Sequence, residues 1–290
     1  MNKNSSGINN FLSQILQSLS LDSVVVEAIP LSGGDIHDVY LVANESSRYV
    51  VKVNTSEMPG DVFRLESDGL NALKVVGELR VPEVIGVMSE EEMSALVLEY
   101  LPSERGDILN FGQQLARHHK VAQAHFGWHV DNYIGRLPQV NTPTVSWEDF
   151  WAEHRIGPLV RALRDAASFT SSEVRVFDEL IHRTAVLVPE ESPSLLHGDL
   201  WSGNVLPTSS SYAVIDPAVY AGHREMDLAM MKLFGGFSAA AFDAYNDEYP
   251  LENQWEERMG FHQIYPLLVH ARLFGGLYIH QSIEMARRYL

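Results

Sequence analysis

The sequence predicts an α+β fold in two lobes, a small antiparallel β-sheet lobe with one helix and then a larger, mainly helical lobe. Three observations predict it. Short β-branched runs separated by Gly and polar turns fill much of the first hundred residues. Helix-period apolar patterns dominate from Phe111 onward. Between them, Pro102 and the polar stretch Ser103 to Asp107 mark a boundary, so the expected division is 1–101 and 102–290.

The elements follow in order. Phe11, Ile15, Leu16 and Leu19 recur at helical spacing, which predicts a helix from about Asn9 to Leu21. Val24 to Ile29 reads as a strand, broken at Leu31 to Gly34. Val39 to Ala43 and Tyr49 to Val53 are two further strands around the polar turn Asn44 to Ser47. After the breaker Pro59-Gly60, the face Val62, Leu65, Gly69, Leu70, Leu73 and Val76 predicts a helix. Val84 to Val87 and Ala95 to Tyr100 are strands around an acidic turn. Helices are expected at Phe111 to Ala124, Trp147 to Leu163 and Ser172 to Val186, the last capped by Ser171 or Ser172. Strand-like segments return at Ser194 to Leu196 and Tyr212 to Ile215, and helices resume from Glu225.

Composition narrows the functions. A formal net charge of −17 over 290 residues argues against a surface made for nucleic acid or anionic lipid. The chain has no cysteine, which excludes disulfides, Cys-ligated zinc and a thiol nucleophile. The first ten residues are polar, unlike a secretory signal, and no apolar run reaches the roughly 20 residues that span a bilayer. A cytoplasmic protein is the expectation.

His197-Gly198-Asp199-Leu200-Trp201-Ser202-Gly203-Asn204 is the most informative segment. It matches the kinase pattern H-x-D-L-x-x-x-N. The spacing has a chemical reason. Asp199 must orient an acceptor hydroxyl and take its proton, while Asn204 turns back to offer an amide oxygen to a divalent cation on the phosphates. Twelve residues later, Asp216 ends a strand and is the second expected metal ligand. It stands in Asp-Pro-Ala where protein kinases have Asp-Phe-Gly, which argues for a metabolite kinase. Lys52 lies in the alternating strand Tyr49 to Val53, opposite in face to Val51 and Val53. It is placed to reach ATP phosphates, with Glu66 on the following helix to hold it. Gly33-Gly34 resembles a short phosphate-covering loop. Leu98 to Leu101 resembles the hinge of this fold, with the Glu99 carbonyl and the Leu101 amide as adenine partners.

The Trp-bearing loop resembles the fructosamine kinase (ketosamine-3-kinase) family, within a two-lobed protein-kinase-like fold. So do Phe126 to Gln139, Trp147 to Pro158, Gly222 to Ala229 and Gln263 to Tyr278, so the likeness spans nearly the whole chain. The resemblance implies transfer of the γ-phosphate of ATP, with Mg²⁺, to the 3-hydroxyl of a ketosamine. The acceptor would be a small-molecule adduct or a glycated protein lysine, and the role would be deglycation repair. It implies Asp199 as base, Asn204 and Asp216 as metal ligands, Trp201 stacking on the sugar and His270 touching the substrate. Asp227 is expected to anchor the catalytic loop from below. Some family members carry a redox-sensitive cysteine in the glycine loop; here Asp35 follows Gly34, which rules out thiol control there. Two alternatives stay open: a kinase of the same fold for another small alcohol (aminoglycoside, choline or homoserine), and a catalytically silent binding module. Neither the adduct's sugar nor the oligomeric state is readable from the sequence.

Overall fold

Alternation along two central strands decides which side of the N-terminal sheet carries chemistry. The structure, a computed structural model, describes residues 3–31, 37–54, 60–90 and 93–290; Gly33 and Gly34 lie outside them. Helix α1 (Lys3–Ser18) is followed by β1 (Glu27–Pro30), β2 (Asp38–Ala43), β3 (Arg48–Asn54), α2 (Val62–Val76), β4 (Val84–Glu90) and β5 (Met93–Glu99). The five strands form an antiparallel sheet in the order β1-β2-β3-β5-β4. Val51 and Val53 of β3 and Ala95 and Val97 of β5 bury against Leu12, Ile15 and Leu16 of α1. Successive strand side chains point to opposite faces. Lys52 and its cross-strand partner Leu96 therefore face α2, whose Phe63, Leu70 and Leu73 cover Leu96 and Leu98. The first predicted strand begins three residues late: Val24 and Val26 are 63% and 61% exposed, and the pairing with β2 starts only with Val26 N donating to Ala43 O.

The remainder is mainly helical. Helix α3 (Ile108–His119) starts at Asp107, whose carboxylate accepts the amides of Leu109 and Asn110, and it stops five residues short of the predicted Ala124. A hairpin of β6 (Asn132–Ile134) and β7 (Leu137–Gln139) leads to α4 (Trp147–Phe150), a π-helical stretch at Trp151–Ile156, and α5 (Gly157–Asp165). The predicted single helix Trp147 to Leu163 is thus widened in its middle. The extra residue per turn accompanies a fully buried Arg155. Its guanidinium lies 4.4 Å and 4.0 Å from the Phe150 and Tyr220 rings and donates to Val140 O and Asn141 Oδ1.

Helix α6 (Ser171–His182) is capped by Thr170, not by the serines after it. Thr170 and Glu173 make a reciprocal capping box, an arrangement that needs Glu at the third helical residue. After α7 (Thr184–Leu187) come four three-residue strands: β8 (Ser194–Leu196), β9 (Val205–Pro207), β10 (Tyr212–Val214) and β11 (Tyr220–Gly222). β8 pairs with β11, and β9 with β10, so the loop after β8 is tied at both ends. Helices α8 (Glu225–Leu233), α9 (Ala239–Glu248), α10 (Trp255–Phe274) and α11 (Leu277–Arg287) close the fold. No helix among the described residues is long and apolar enough to cross a membrane.

Two glycines with nearly the same backbone separate conformational strain from lack of space. Gly77 ends α2 at φ +81°, and a Cβ there would meet its nearest neighbour at 3.8 Å. Gly198 has φ +83°, but a Cβ there would lie 2.1 Å from the Ala218 carbonyl oxygen. Gly77→Ala should cost about 1 kcal/mol of unfolding free energy, the ordinary left-handed penalty. Gly198→Ala should cost about 3 kcal/mol or more, because backbone must move. Urea unfolding of the two variants side by side checks this; equal losses would refute the steric account.

Candidate active site

The Lys52 ammonium is the junction of three segments. It is 5% exposed and donates to Glu66 Oε1 of α2 at 2.7 Å and to Asp216 Oδ1, after β10, at 2.6 Å. Burial alone would strip its charge. The two carboxylates outweigh that and hold its pKa above the ordinary lysine value. Helix α2 also sits close on the segment after Asp216. A Cβ at Gly69 would come within 3.2 Å of Val219, so glycine there lets the Glu66 helix approach. Trp128 Nε1 donates to Asp68 Oδ2 at 3.1 Å and fastens the same helix from the other side.

The loop after β8 is held by two buried groups. Asp227 accepts the backbone amides of His197 (2.8 Å) and Gly198 (3.0 Å), and His119 Nε2 lies 3.3 Å from the same carboxylate. This is the anchoring place expected for Asp227. His197 has Nε2 at 2.9 Å from Ile215 O, while its Nδ1 accepts the Asp199 amide at 3.2 Å. A carbonyl can only accept, so the proton is on Nε2 and the ring is neutral. Burial lowers its pKa in the same sense. The imidazole thereby ties the backbone of Asp199 to the residue before Asp216.

Asn204 donates its amide to Asp199 O at 2.9 Å and to Asp199 Oδ2 at 3.1 Å. Its amide nitrogen is thus committed to Asp199, which leaves the amide oxygen as an acceptor. Asp216 itself adopts φ +56°, a left-handed conformation uncommon outside glycine that sets the turn out of β10. Burial, and after it the nearby Asp216 carboxylate, pushes Asp199 up to about 7. A carboxylate near neutral pKa suits a group that takes a hydroxyl proton at neutral pH.

These side chains share one cleft of about 630 Å³. Its lining divides into two linked groups: Lys52, Glu66 and Asp216 joined by ion pairs, with Asp199, Asn204 and His37 near them, and Trp201, Phe234, His270, Phe274 and Tyr278 joined by ring contacts. Trp201 is 37% exposed, and its ring lies over Gly203, where a Cβ would come within 2.2 Å of it. The floor is a buried polar network. Asn132 donates to Val219 O, Gln139 to Ala218 O and Asn132 Oδ1, and Tyr265 to Gln139 Oε1, at 2.7–3.1 Å. It pairs the carbonyls of the segment after Asp216, which otherwise would be buried unsatisfied.

The structure therefore gathers Lys52, Glu66, Asp199, Asn204, Asp216, Trp201 and His270. Glu99 and Leu101 are not among the residues lining the cleft; the Glu99 carboxylate accepts the Glu83 amide and pairs with Arg80. Sequence reasoning missed Phe234, Phe274 and Tyr278, which sit in helical patterns like ordinary core residues. It also missed His37 and Arg136, whose only signal was proximity to motif residues. Asn204 and Asp216 both line the cleft and bring oxygen donors, a chemistry that fits Mg²⁺ and not a soft metal.

A model of the fructosamine kinase family matches residues 8–290. A probable ketoamine kinase of Synechocystis is 38% identical over 285 residues, covering 96% of this chain and 95% of its own. A crystal structure from Thermobifida fusca, provisionally described as a fructosamine-3-kinase, superposes with a TM-score of 0.87 at 33% identity, over 97% of this chain and 98% of that one. An aminoglycoside phosphotransferase solved with ADP and hygromycin B has a TM-score of 0.61 at 14% identity, covering 95% of this chain and 97% of its own, a likeness of fold alone.

One further cluster lies outside the lining of the cleft. His223, Glu225 and His262 bring ligand-type atoms within 4.8 Å of one another, all buried. Both Glu225 oxygens are taken by Arg258, at 2.6 and 3.1 Å, and one also by His262 at 3.1 Å. The resident guanidinium makes this a neutralised support for α8, not a cation site. Burial would raise the Glu225 pKa, but the hydrogen bonds from His262 and Arg258 overcome it and hold the group at about 2, below its ordinary 4.5. The carboxylate's contribution is then complete above the unfolded value and is lost as pH falls through the folded one. Glu225→Gln should remove on the order of 3 kcal/mol at pH 7 and flatten the decline of stability between about pH 4.5 and 2. Denaturant melts across that range check it; an unchanged acid limb would refute the assignment.

Proposed function

The chain belongs to the fructosamine kinase family, and on that premise we propose that it transfers the γ-phosphate of ATP to the 3-hydroxyl of a ketosamine. Membership makes it a phosphotransferase whose acceptor is a sugar-amine hydroxyl. The observation that carries the finer reading is the convergence of Lys52, Glu66, Asp199, Asn204 and Asp216 on one cleft with Trp201 and His270 at its far end.

Lys52, steered by Glu66, binds phosphate oxygens as a fixed positive charge. Asn204 and Asp216 would hold a magnesium ion, which would supply positive charge against the phosphates. Asp199 orients the acceptor hydroxyl and accepts its proton at the carboxylate, while its Asn204 hydrogen bond fixes its rotamer. Trp201 offers a flat apolar face to sugar C–H groups. Residues 1–101 act as the nucleotide lobe and 102–290 as the catalytic and acceptor lobe. A 3-phosphorylated ketosamine is less stable than its parent, so the reaction would serve removal of sugar adducts from amines.

ADP release assayed over a panel of acceptors tests the reading. Ketosamines such as ribulosamines should outperform choline, homoserine and aminoglycosides; the reverse order would overturn it. Asp199→Asn should lower kcat by about 10² to 10⁴ with a much smaller change in the KM for ATP. Lys52→Met should act more strongly on ATP binding. Full activity in Asp199→Asn would refute the role given to that carboxylate.

A further inference from the structure

The far end of the cleft holds more aromatic surface than a sugar ring requires. Trp201 already supplies one stacking face. Phe234, Tyr278 and Phe274 stand around His270, with ring centroids at 4.8, 5.0 and 5.6 Å from the imidazole. Phe274 is nevertheless 60% exposed, so core packing does not account for it.

The chain takes an unusual path to make this cluster. Helix α10 ends at Phe274 and α11 begins at Leu277. Between them Gly275 has φ 64°, ψ −143° and Gly276 has φ 58°, ψ −129°. Such conformations are essentially confined to glycine. A Cβ at either position would meet nothing within 4 Å, so crowding does not demand glycine there. The backbone path does: the corner turns α11 back so that Tyr278 arrives beside Phe274, with ring centroids 6.3 Å apart, over His270.

His270 completes a specific polarity. Its Nδ1 lies 2.8 Å from Pro266 O, which can only accept, so Nδ1 carries the proton and Nε2 is left as an acceptor. Burial lowers its pKa, which keeps the ring neutral. Among the described residues lining the cleft, the carboxylates are Glu66, Asp199 and Asp216, which belong to the Lys52 and catalytic-loop group. This end therefore offers π-faces and one imidazole acceptor, which suits a cationic N–H and not an anion.

We propose that Phe234, Phe274 and Tyr278, gathered on His270 by the Gly275-Gly276 corner, form the subsite for the amine end of the acceptor, taking a protonated secondary amine and laying its carbon substituent on the Phe274 ring. The inference rests on the ketosamine reading and refines it, since it makes the amine nitrogen itself a recognised group. The sugar lies between Trp201 and Asp199, and the ammonium gives its N–H to His270 Nε2. The substituent leaves across Phe274, so apolar amine substituents are favoured.

The test compares two acceptors of one shape: a ketose carrying a benzylamino group at C1, and its benzyl ether with oxygen in place of nitrogen. Wild-type kcat/KM should favour the amine by about tenfold or more. Phe274→Leu and Tyr278→Leu, which keep apolar bulk but lose the ring quadrupole, should each shrink that ratio by about 3- to 30-fold. Equal use of amine and ether by the wild type, or equal losses on both in the variants, would overturn the subsite. Saturation-transfer NMR with N-methylbenzylammonium and benzyl methyl ether, neither bearing a sugar, separates the two readings. Binding of the ammonium probe that Phe274→Leu abolishes, with no turnover of any ketosamine, would sink the substrate reading and keep the subsite. No preference for the ammonium probe would overturn the subsite even if ketosamines turn over.

Discussion

A buried ammonium between two carboxylates fixes the rest of the cleft. Lys52 cannot be taken from water without partners, and its partners come from α2 and from the turn after β10. The pairing therefore sets the distance between the N-terminal sheet and the catalytic loop. It also leaves a charge imbalance: one cation faces Glu66 and Asp216, with Asp199 close by. On the kinase reading, a polyphosphate is tolerable there only with a dication between it and the carboxylates. That agrees with the oxygen donors offered by Asn204 and Asp216.

The second constraint is the neutral imidazole of His197. Its two nitrogens do opposite jobs, Nε2 donating to Ile215 and Nδ1 accepting from Asp199. Protonation would destroy the second bond, so burial that keeps the ring neutral is part of the geometry. Asp227 below it pairs the amides of His197 and Gly198, which no strand partner satisfies. Gly198 is required for the same reason, since its Cβ would displace the Ala218 carbonyl against which the loop closes. Together these contacts place Asp199 and Asp216 relative to each other through rigid, short-range links.

That Lys52, Glu66, Asp199, Asn204 and Asp216 come together was legible because each stands in a local pattern. Lys52 sits in a strict two-residue alternation, and the Asp199-to-Asn204 spacing is set by one loop. Glu66 follows at the right helical phase. The N-terminal sheet was legible for the same reason, with strand ends shifted by a few residues. The ring cluster around His270 was not. His270 and Trp201 were expected to touch substrate only through the family resemblance, whereas Phe234 at the end of α8, Phe274 and Tyr278 follow helical periodicity and read as core until the corner at Gly275-Gly276 is seen. The three-residue strands β6, β7, β9 and β11 are too short to show a period. The π-helical stretch around Arg155 leaves no mark in an apolar pattern either. Thr170 is different: the Thr170/Glu173 pair was visible, and the capping-box rule chooses it over the adjacent serines.

The cleft thus has two ends of unlike physics, and the difference bears on specificity. At one end, Lys52 is the buried cation that Glu66 and the part-exposed Asp216 share. Losing Lys52 would strand two carboxylates without their cation, so that end tolerates little variation. At the other end, half-exposed rings meet through weak, separable contacts on a corner held by glycine. Losing one ring there costs contact area and a modest interaction, without stranding a charge. On the proposed amine subsite, substrate range can therefore change at Phe234, Phe274 and Tyr278 without disturbing the Lys52 cluster. A remote neighbour named as an aminoglycoside phosphotransferase shares the architecture at 14% identity, so the fold by itself does not fix the acceptor.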